Sequence, residues 1–425
     1  MKNRFDPGRP YRLRNTIQHY DWGSRTAMTE LLGIENPESE PQAELWMGAH
    51  PKAPSFLLPA DSAAAPAAGG SGAPMSLLEA IGEAGDALLG RGMSARFGSA
   101  LPFLFKVLSA GKPLSIQAHP NKKQAEEGYA RENNAGIPID SPQRNYRDAN
   151  HKPEVLCALT SFVGLRGFRP IPEIIEELHA HGIEELAASA ALLERNPDRR
   201  GLAAAFELLM VQPEPSQKEL VARVVRSSAG REAQRYRWVA RLQELFPGDI
   251  GVICPLLLNI VSLEAGQAMF LEAGVLHAYL EGTGIELMAN SDNVLRGGLT
   301  SKHIDVPELL RVLTFANGPA QTLQPSAGAD GALVYPTPIS EFRLSRVELE
   351  NRTPFVSSRE RSAEILLCVE GSARLSWDGG ATSIERGDSL LVPAALSAYR
   401  IEGAGRLFRA DAPLGSAGRN ERGLA

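Results

Sequence analysis

Residues 266–279, G-Q-A-M-F-L-E-A-G-V-L-H-A-Y, hold an apolar run, a turn built on glycine, and a second apolar run entered through a histidine. Successive side chains of a strand face opposite sides. A strand–turn–strand unit of this kind therefore aims His277 in one fixed direction. The plan returns at residues 387–399 as G-D-S-L-L-V-P-A-A-L-S-A-Y. In register, Glu272 meets Pro393, Gly274 meets Ala395 and His277 meets Ala398. The last third of the chain thus carries two copies of one β unit, and only the first retains a histidine.

The flanking sequence fits strands on either side of a helical block. Residues 11–20 (Y-R-L-R-N-T-I-Q-H-Y) and 102–108 (P-F-L-F-K-V-L) read as strands bounded by turn residues. S-L-L-E-A-I-G-E-A-G-D-A-L-L-G, residues 76–90, predicts one short helix. From 171 to about 246 the period changes: I-P-E-I-I-E-E-L places Pro at a helix start, and L-A-A-A-F-E-L-L-M and K-E-L-V-A-R-V-V repeat apolar residues at spacings of three and four. After 250, I-C-P-L-L-L-N-I-V-S-L and A-M-F-L read as strands again. The expected division is an N-terminal β region (1–170), a helical domain (171–250), the rest of the first β unit (251–320) and a C-terminal β domain (321–425). A-A-A-P-A-A-G-G-S-G-A-P, residues 63–74, has the composition of a surface loop.

Composition excludes several classes. The chain has 425 residues, 43% hydrophobic and 22% charged, with a net charge of −6. No run of like charge favours nucleic acid or a membrane surface as partner, and no apolar stretch approaches the roughly 20 residues a membrane span needs. The opening M-K-N-R-F-D-P-G-R-P lacks the apolar segment of a secretory signal. Three well-separated cysteines, Cys157, Cys254 and Cys368, lie in or beside apolar runs and fit buried free thiols in a reducing compartment. The expectation is a cytoplasmic protein, monomeric or a weak homo-oligomer, acting on a small molecule.

The 266–279 unit resembles the second motif of the cupin barrels, G-x5-P-x-G-x2-H, with Glu where the motif has Pro. The second copy keeps the Pro and has lost the His. The resemblance implies a mainly β fold of two cupin-like jelly-roll units with a helical insertion, one unit bearing a metal. S-I-Q-A-H-P-N-K, residues 115–122, then gains meaning, because Gln117 and His119 lie two apart on a predicted strand and face one side. Alone, such a pair is ordinary polar decoration. H-K-P-E-V-L, residues 151–156, offers Glu154 at the head of an apolar strand, separated from His119 by a loop with the composition N-N-A-G-I-P-I-D-S-P-Q-R-N-Y. An amide oxygen, two imidazoles and a carboxylate suit zinc best, with nickel, cobalt or manganese as alternatives.

Two further stretches carry polar groups. Residues 284–302, G-I-E-L-M-A-N-S-D-N-V-L-R-G-G-L-T-S-K, gather Glu286, Asp292, Asn293, Arg296 and Lys302. They read either as a polar strand face or as a cradle for an anionic sugar. Residues 43–55, A-E-L-W-M-G-A-H-P-K-A-P-S, read as core with a turn or as a pocket wall. His179 and His181 fall in the helical block and are expected to face solvent. His50, His151 and His303 receive no ligand role.

Taken together, S-I-Q-A-H-P-N-K, H-K-P-E, G-V-L-H-A-Y and E-L-M-A-N-S-D-N-V-L-R-G-G-L-T resemble the signatures of the type I mannose-6-phosphate isomerases (phosphomannose isomerases). Y-D-W-G-S at 20–24, E-L-W-M-G-A-H-P-K-A-P-S and F-L-F-K-V-L match in the same order, so the resemblance spans essentially the whole chain. It implies one zinc on Gln117, His119, Glu154 and His277, and a catalytic role for Arg296, with Lys152, Glu286, Asp292 and Tyr279 around the metal. Lys106, Ser115 and Lys302 are the implied phosphate contacts, and Trp22 and Glu44 belong to the substrate wall. The implied reaction interconverts mannose 6-phosphate and fructose 6-phosphate through a cis-enediol. It needs a carbon base, stabilisation of the enediolate, and a shuttle for the hydroxyl protons. Glu286, Asp292 and a metal-linked histidine all remain candidates for the base. Two other readings compete: a metal-bearing bicupin that binds sugar without turnover, and an iron cupin dioxygenase. The D-N-V-L-R segment argues against the first, and Gln117 with the Lys- and Arg-rich segments against the second.

Overall fold

The structure, a computed structural model, describes residues 5–60, 74–350 and 353–414. Apart from Pro74, the 63–74 segment lies outside the described residues. The strands form two large antiparallel sheets, and the helical block Ile171–Leu245 stands between strands of the first.

The long strand His277–Ala289 is the spine of the first sheet. It pairs with Phe103–Ala110, Glu154–Ala158 and Phe162–Phe168, and through His277 with Ile116–Ala118. Strand Ala268–Leu271 pairs with Glu154–Ala158, completing the predicted strand–turn–strand unit. At the turn, Gly274 has φ +75°, and a Cβ there would lie 2.6 Å from the Thr314 side chain. Only glycine fits both demands at no cost.

Parity sorts the side chains. Phe103, Phe105, Val107, Val155, Cys157, Ile285 and Leu287 enter a core shared with Ile365, Leu367, Leu391 and Phe408 of the second sheet. Their alternates Leu104, Lys106, Glu154, Glu286 and Met288 face a cavity on the other side. Both faces are covered, so the strand F-L-F-K-V-L reads as an unbroken apolar run rather than an alternating one. Farther along the sheet, Ile116, Ala118, Leu276, Ala278, Leu280 and Leu295 pack against the apolar stripes of the helical block, including Ile174, Leu178 and Phe206. That leaves Gln117, His277 and Arg296 on the opposite parity.

The second sheet repeats the plan. Ser389–Val392 pairs with the head of Glu364–Trp377 as Ala268–Leu271 pairs with Glu154–Ala158, so Val392 faces Glu364 as Leu271 faces Glu154. Glu364 thus takes the place of Glu154. No histidine joins it; buried Arg361 and Arg409 lie 3.6 Å from its carboxylate instead. Its internal cation is a guanidinium.

Two expectations are corrected. Residues 250–257 are helical, a 3₁₀ turn Ile250–Ile253 running into Cys254–Leu257, and the strand begins only at Leu258. Pro255 in that first turn has a fixed φ and no N–H to give a ladder, while the Asp249 side chain caps Gly251. The segment between His119 and Glu154 is not all loop, since Lys122–Asn134 is a helix closed at its start by an Asn121–Gln124 capping box. The N-terminal region contributes strands to both sheets. Tyr11–Arg14 pairs with Ser389–Val392, and Phe56–Pro59 extends the second sheet, covering an edge that would otherwise present unpaired backbone groups.

His151, three residues before Glu154, ties the units together through an imidazole–carboxylate contact of 2.8 Å to Glu341. Burial pushes the Glu341 carboxyl up, but the hydrogen bond and charge of His151 win and hold it down to about 2. A depressed folded-state pKa stabilises above the unfolded value and loses that contribution as pH falls through the folded one. The stability gap between wild type and Glu341→Gln should therefore narrow from about pH 5 to about pH 2. Urea unfolding at several pH values measures it; a gap that widens on acidification contradicts the assignment.

Candidate active site

Buried His119, Glu154 and His277 bring one donor atom each within 4.8 Å of one another. Glu154 opens its strand, His277 opens the spine, and His119 follows directly on the strand Ile116–Ala118. His119 Nδ1 donates to the Asn293 carbonyl at 2.7 Å, and His277 Nδ1 to the Val275 carbonyl at 2.9 Å. A carbonyl can only accept, so each ring carries its proton on Nδ1 and turns a bare Nε2 lone pair inward.

Those Nε2 atoms lie 3.3 and 3.5 Å from the two Glu154 oxygens and have no hydrogen-bond partner. Three acceptors thus converge with no proton between them. Such an arrangement calls for a cation, and the donor set fits zinc. Burial and the nearby Lys152 charge outweigh Glu154 and hold His119 down to about 4, the neutral form a metal ligand needs. Glu154 is held far below the usual carboxylate range: burial opposes ionisation, but the Lys152 charge prevails.

Gln117 joins the group through register. It stands directly opposite His277 on one side and Arg296 on the other, so the three side chains share a face across adjacent strands. Beside them opens a cavity of about 610 Å³. Its wall includes Gln117, Glu154, Lys152, Tyr279, Glu286 and Arg296, together with Lys106, Ser115, Lys302, Trp22, Glu44 and Asp292.

Placement in the wall does not mean availability. Lys106, expected at the phosphate, is buried and held by Glu286 at 2.9 Å and Glu44 at 3.5 Å, while Trp46 donates to Glu44 at 2.6 Å. A lysine so neutralised has little charge left for a phosphate, and that expectation is withdrawn. Asp292 is bound by Lys52 at 2.7 Å and faces His50 at 3.5 Å. Burial would raise its pKa, yet the contacts with His50 and Lys52 hold it far below the carboxylate range. Tyr279 donates to Glu286 at 2.9 Å and reaches Glu154 at 3.4 Å, linking the metal cluster to the Lys106–Glu286 pair. The Glu286 carboxyl is pushed up, because burial, Glu154 and Glu44 together outweigh Lys106.

Among the wall residues that the sequence reading passed over is Arg147. Arg147, in the segment before H-K-P-E, lies close enough to Arg296 and Lys302 to affect both electrostatically. Burial and then Arg147 lower the pKa of Arg296; burial, Arg296 and Arg147 lower that of Lys302. Three cationic side chains in one cavity wall, each lowering or lowered by another, make a candidate anion site. Nothing in the local pattern R-N-Y-R-D-A-N distinguishes Arg147 from a loop residue. The helical block also reaches the cavity, through Leu245 and Phe246. His181 was expected at the surface but is buried, bonded to Ser227 at 2.6 Å and Glu177 at 3.2 Å, because it caps its helix rather than riding the outer face.

Residues 11–171 match the family description "Phosphomannose isomerase type I, catalytic domain", and residues 332–411 match "Mannose-6-phosphate isomerase, cupin domain". The chain is 43% identical over 402 residues to mannose-6-phosphate isomerase of Escherichia coli (strain K12), an alignment covering 94% of this chain and 98% of that protein. Against the Homo sapiens mannose-6-phosphate isomerase it is 34% identical over 417 residues, covering 91% and 94%. A zinc-bound crystal structure of mannose 6-phosphate isomerase superposes with a TM-score of 0.86 at 40% identity, covering 95% of this chain and 99% of that one. The Salmonella typhimurium structure bound to substrate (f6p) and zinc gives the same TM-score, identity and coverage.

Proposed function

The chain belongs to the type I phosphomannose isomerases, and on that premise we propose that it interconverts D-mannose 6-phosphate and D-fructose 6-phosphate through a cis-enediol, with one zinc ion held by Gln117, His119, Glu154 and His277. The observation that carries this reading is the convergence of two bare imidazole nitrogens on Glu154, a carboxylate that itself lines a sugar-sized cavity. When bound, the ion supplies Lewis-acid polarisation of substrate oxygens.

The phosphate sits against Arg147, Arg296 and Lys302, whose crowded positive charge a dianion relieves. Ser115 adds a hydroxyl at the same wall. Arg296 also meets negative charge developing on the enediolate; as a guanidinium it stabilises this charge but does not take protons. Among the base candidates, Asp292 is committed to Lys52 and His50, and both histidines use Nδ1 on a carbonyl and Nε2 on the cluster. Glu286 remains. Its carboxylate lines the cavity, and Lys106 and Tyr279 hold it by hydrogen bonds that can reorganise as a proton arrives. Lys152 beside Glu154, with Tyr279, is placed to steady the hydroxyl protons.

The domain boundaries drawn from sequence serve as a working division, with the cavity between the first β unit and the end of the helical block. No helix among the described residues is long and apolar enough to cross a membrane. We assign the cytoplasm, a sugar-phosphate substrate without nucleic acid, and a monomer or weak homo-oligomer. The three buried free cysteines and the net charge of −6 support these assignments. A coupled assay on mannose 6-phosphate, with metal analysis before and after exhaustive chelation, tests the proposal. Turnover should vanish with the metal and return with zinc; full turnover in the stripped protein refutes it.

A further inference from the structure

Asn293 has no charge and no part in the chemistry above, yet it touches both ends of the site. It is fully buried. Its main-chain carbonyl accepts the His119 Nδ1 proton at 2.7 Å. Its side-chain oxygen accepts from the backbone N–H groups of Arg147 at 2.7 Å and Asp148 at 3.2 Å. Its amide nitrogen donates to the carbonyls of Asp148 and Asn150, each at 2.9 Å. Two lone pairs and two protons are all that an asparagine amide offers, and every one is used.

The segment it grips has no ladder of its own. Residues 147–150 are neither helix nor strand, so their backbone takes its shape from side chains such as this one. The backbone N–H that Asn293 holds belongs to Arg147, which lines the same cavity as Arg296 and Lys302. From the other direction, the carbonyl that fixes the His119 ring belongs to the same residue. A clamp on residues 147–150 therefore also fixes the acceptor of a metal ligand.

We propose that Asn293 is a positioning residue joining the two halves of the site, setting the ring of His119 through its carbonyl and the place of Arg147 through its amide. The inference rests on His119 as a metal ligand and on Arg147 as part of the anion site. An aspartate in its place keeps the size but turns oxygen toward the two carbonyls and loses both donated bonds. Such a loss cannot be repaired in a buried setting.

The test measures zinc affinity by chelator competition, KM and kcat at saturating zinc, and melting temperature, for wild type, Asn293→Asp, Asn293→Ser and Arg147→Met. Asn293→Asp should weaken zinc binding by about 10–100-fold, the range seen when the partner of a ligating histidine is lost. It should also raise KM about tenfold, since a charge-assisted phosphate contact contributes about that much. Arg147→Met should raise KM alike and leave zinc affinity unchanged. Asn293→Ser, which loses reach without adding charge, should move both quantities in the same direction and stands in if the aspartate variant does not fold. A lower melting temperature with zinc affinity and KM at wild-type values overturns the proposal, and so does a change in only one of the two. Wild type that binds no zinc, or Arg147→Met with wild-type KM, instead overturns the underlying reading, and neither result needs an Asn293 variant.

Discussion

Glu154→Gln is expected to lower turnover by on the order of 10³-fold or more and to strip the protein of zinc at ordinary concentrations. The glutamate lies between the two inward-facing imidazole nitrogens, one oxygen toward each, at 3.3 and 3.5 Å. It brings the only formal negative charge among His119, Glu154 and His277. The amide keeps the shape but removes that charge and turns an N–H group toward one of the lone pairs. Losing a ligand should exceed the about 10–100-fold associated with losing a ligand's supporting partner. Lys152, 3.0 Å from Glu154, would also lose its counter-charge and further repel the cation. Metal content and kcat on the same preparation decide the matter. A zinc-loaded, active Glu154→Gln protein would remove the carboxylate from the proposed ligand set.

Arg296→Met should lower kcat by about 10²–10³-fold, the usual consequence of losing one fixed donor to a developing oxyanion. Zinc content should be unaffected. Arg296 lies opposite Gln117 in the strand register, beside the metal cluster and with no ion-pair partner among the described residues. Burial and Arg147 make its charge costly to hold, a cost that an anionic substrate would offset. Arg296→Lys should recover only part of the loss, because an ammonium lacks the planar fork and reaches a different point. A fall confined to KM in both variants would assign Arg296 to phosphate alone and take it out of the chemical step.

Much of the site was legible before any coordinates. The glycine turn before His277, Glu154 heading an apolar strand, and the paired Gln117 and His119 are local features whose geometry follows from strand periodicity and turn chemistry. The structure keeps the turn at Gly274 and Glu154 at the head of its strand, and sets His119 one residue beyond the strand that carries Gln117. The failures were also local in cause. Residues 250–257 have strand-like composition, but a proline and an Asp cap turned them into helix. His181 lies in a helical stretch and became a cap, which put its ring inside. Arg147 could not be found at all, since its position depends on an asparagine 146 residues away.

Family, the order of the elements, and which residue types could bind a cation were determined by the sequence, because they depend on spacing along the chain and on side-chain chemistry. Tertiary structure alone decided which charged groups remain available. Lys106 and Asp292 look free on paper but are neutralised by partners from distant strands and turns. Arg147, Arg296 and Lys302 are left crowded together. A charge is useful to a substrate only if nothing nearer cancels it, and nearness in space is set by sheet register and packing, which no local pattern records.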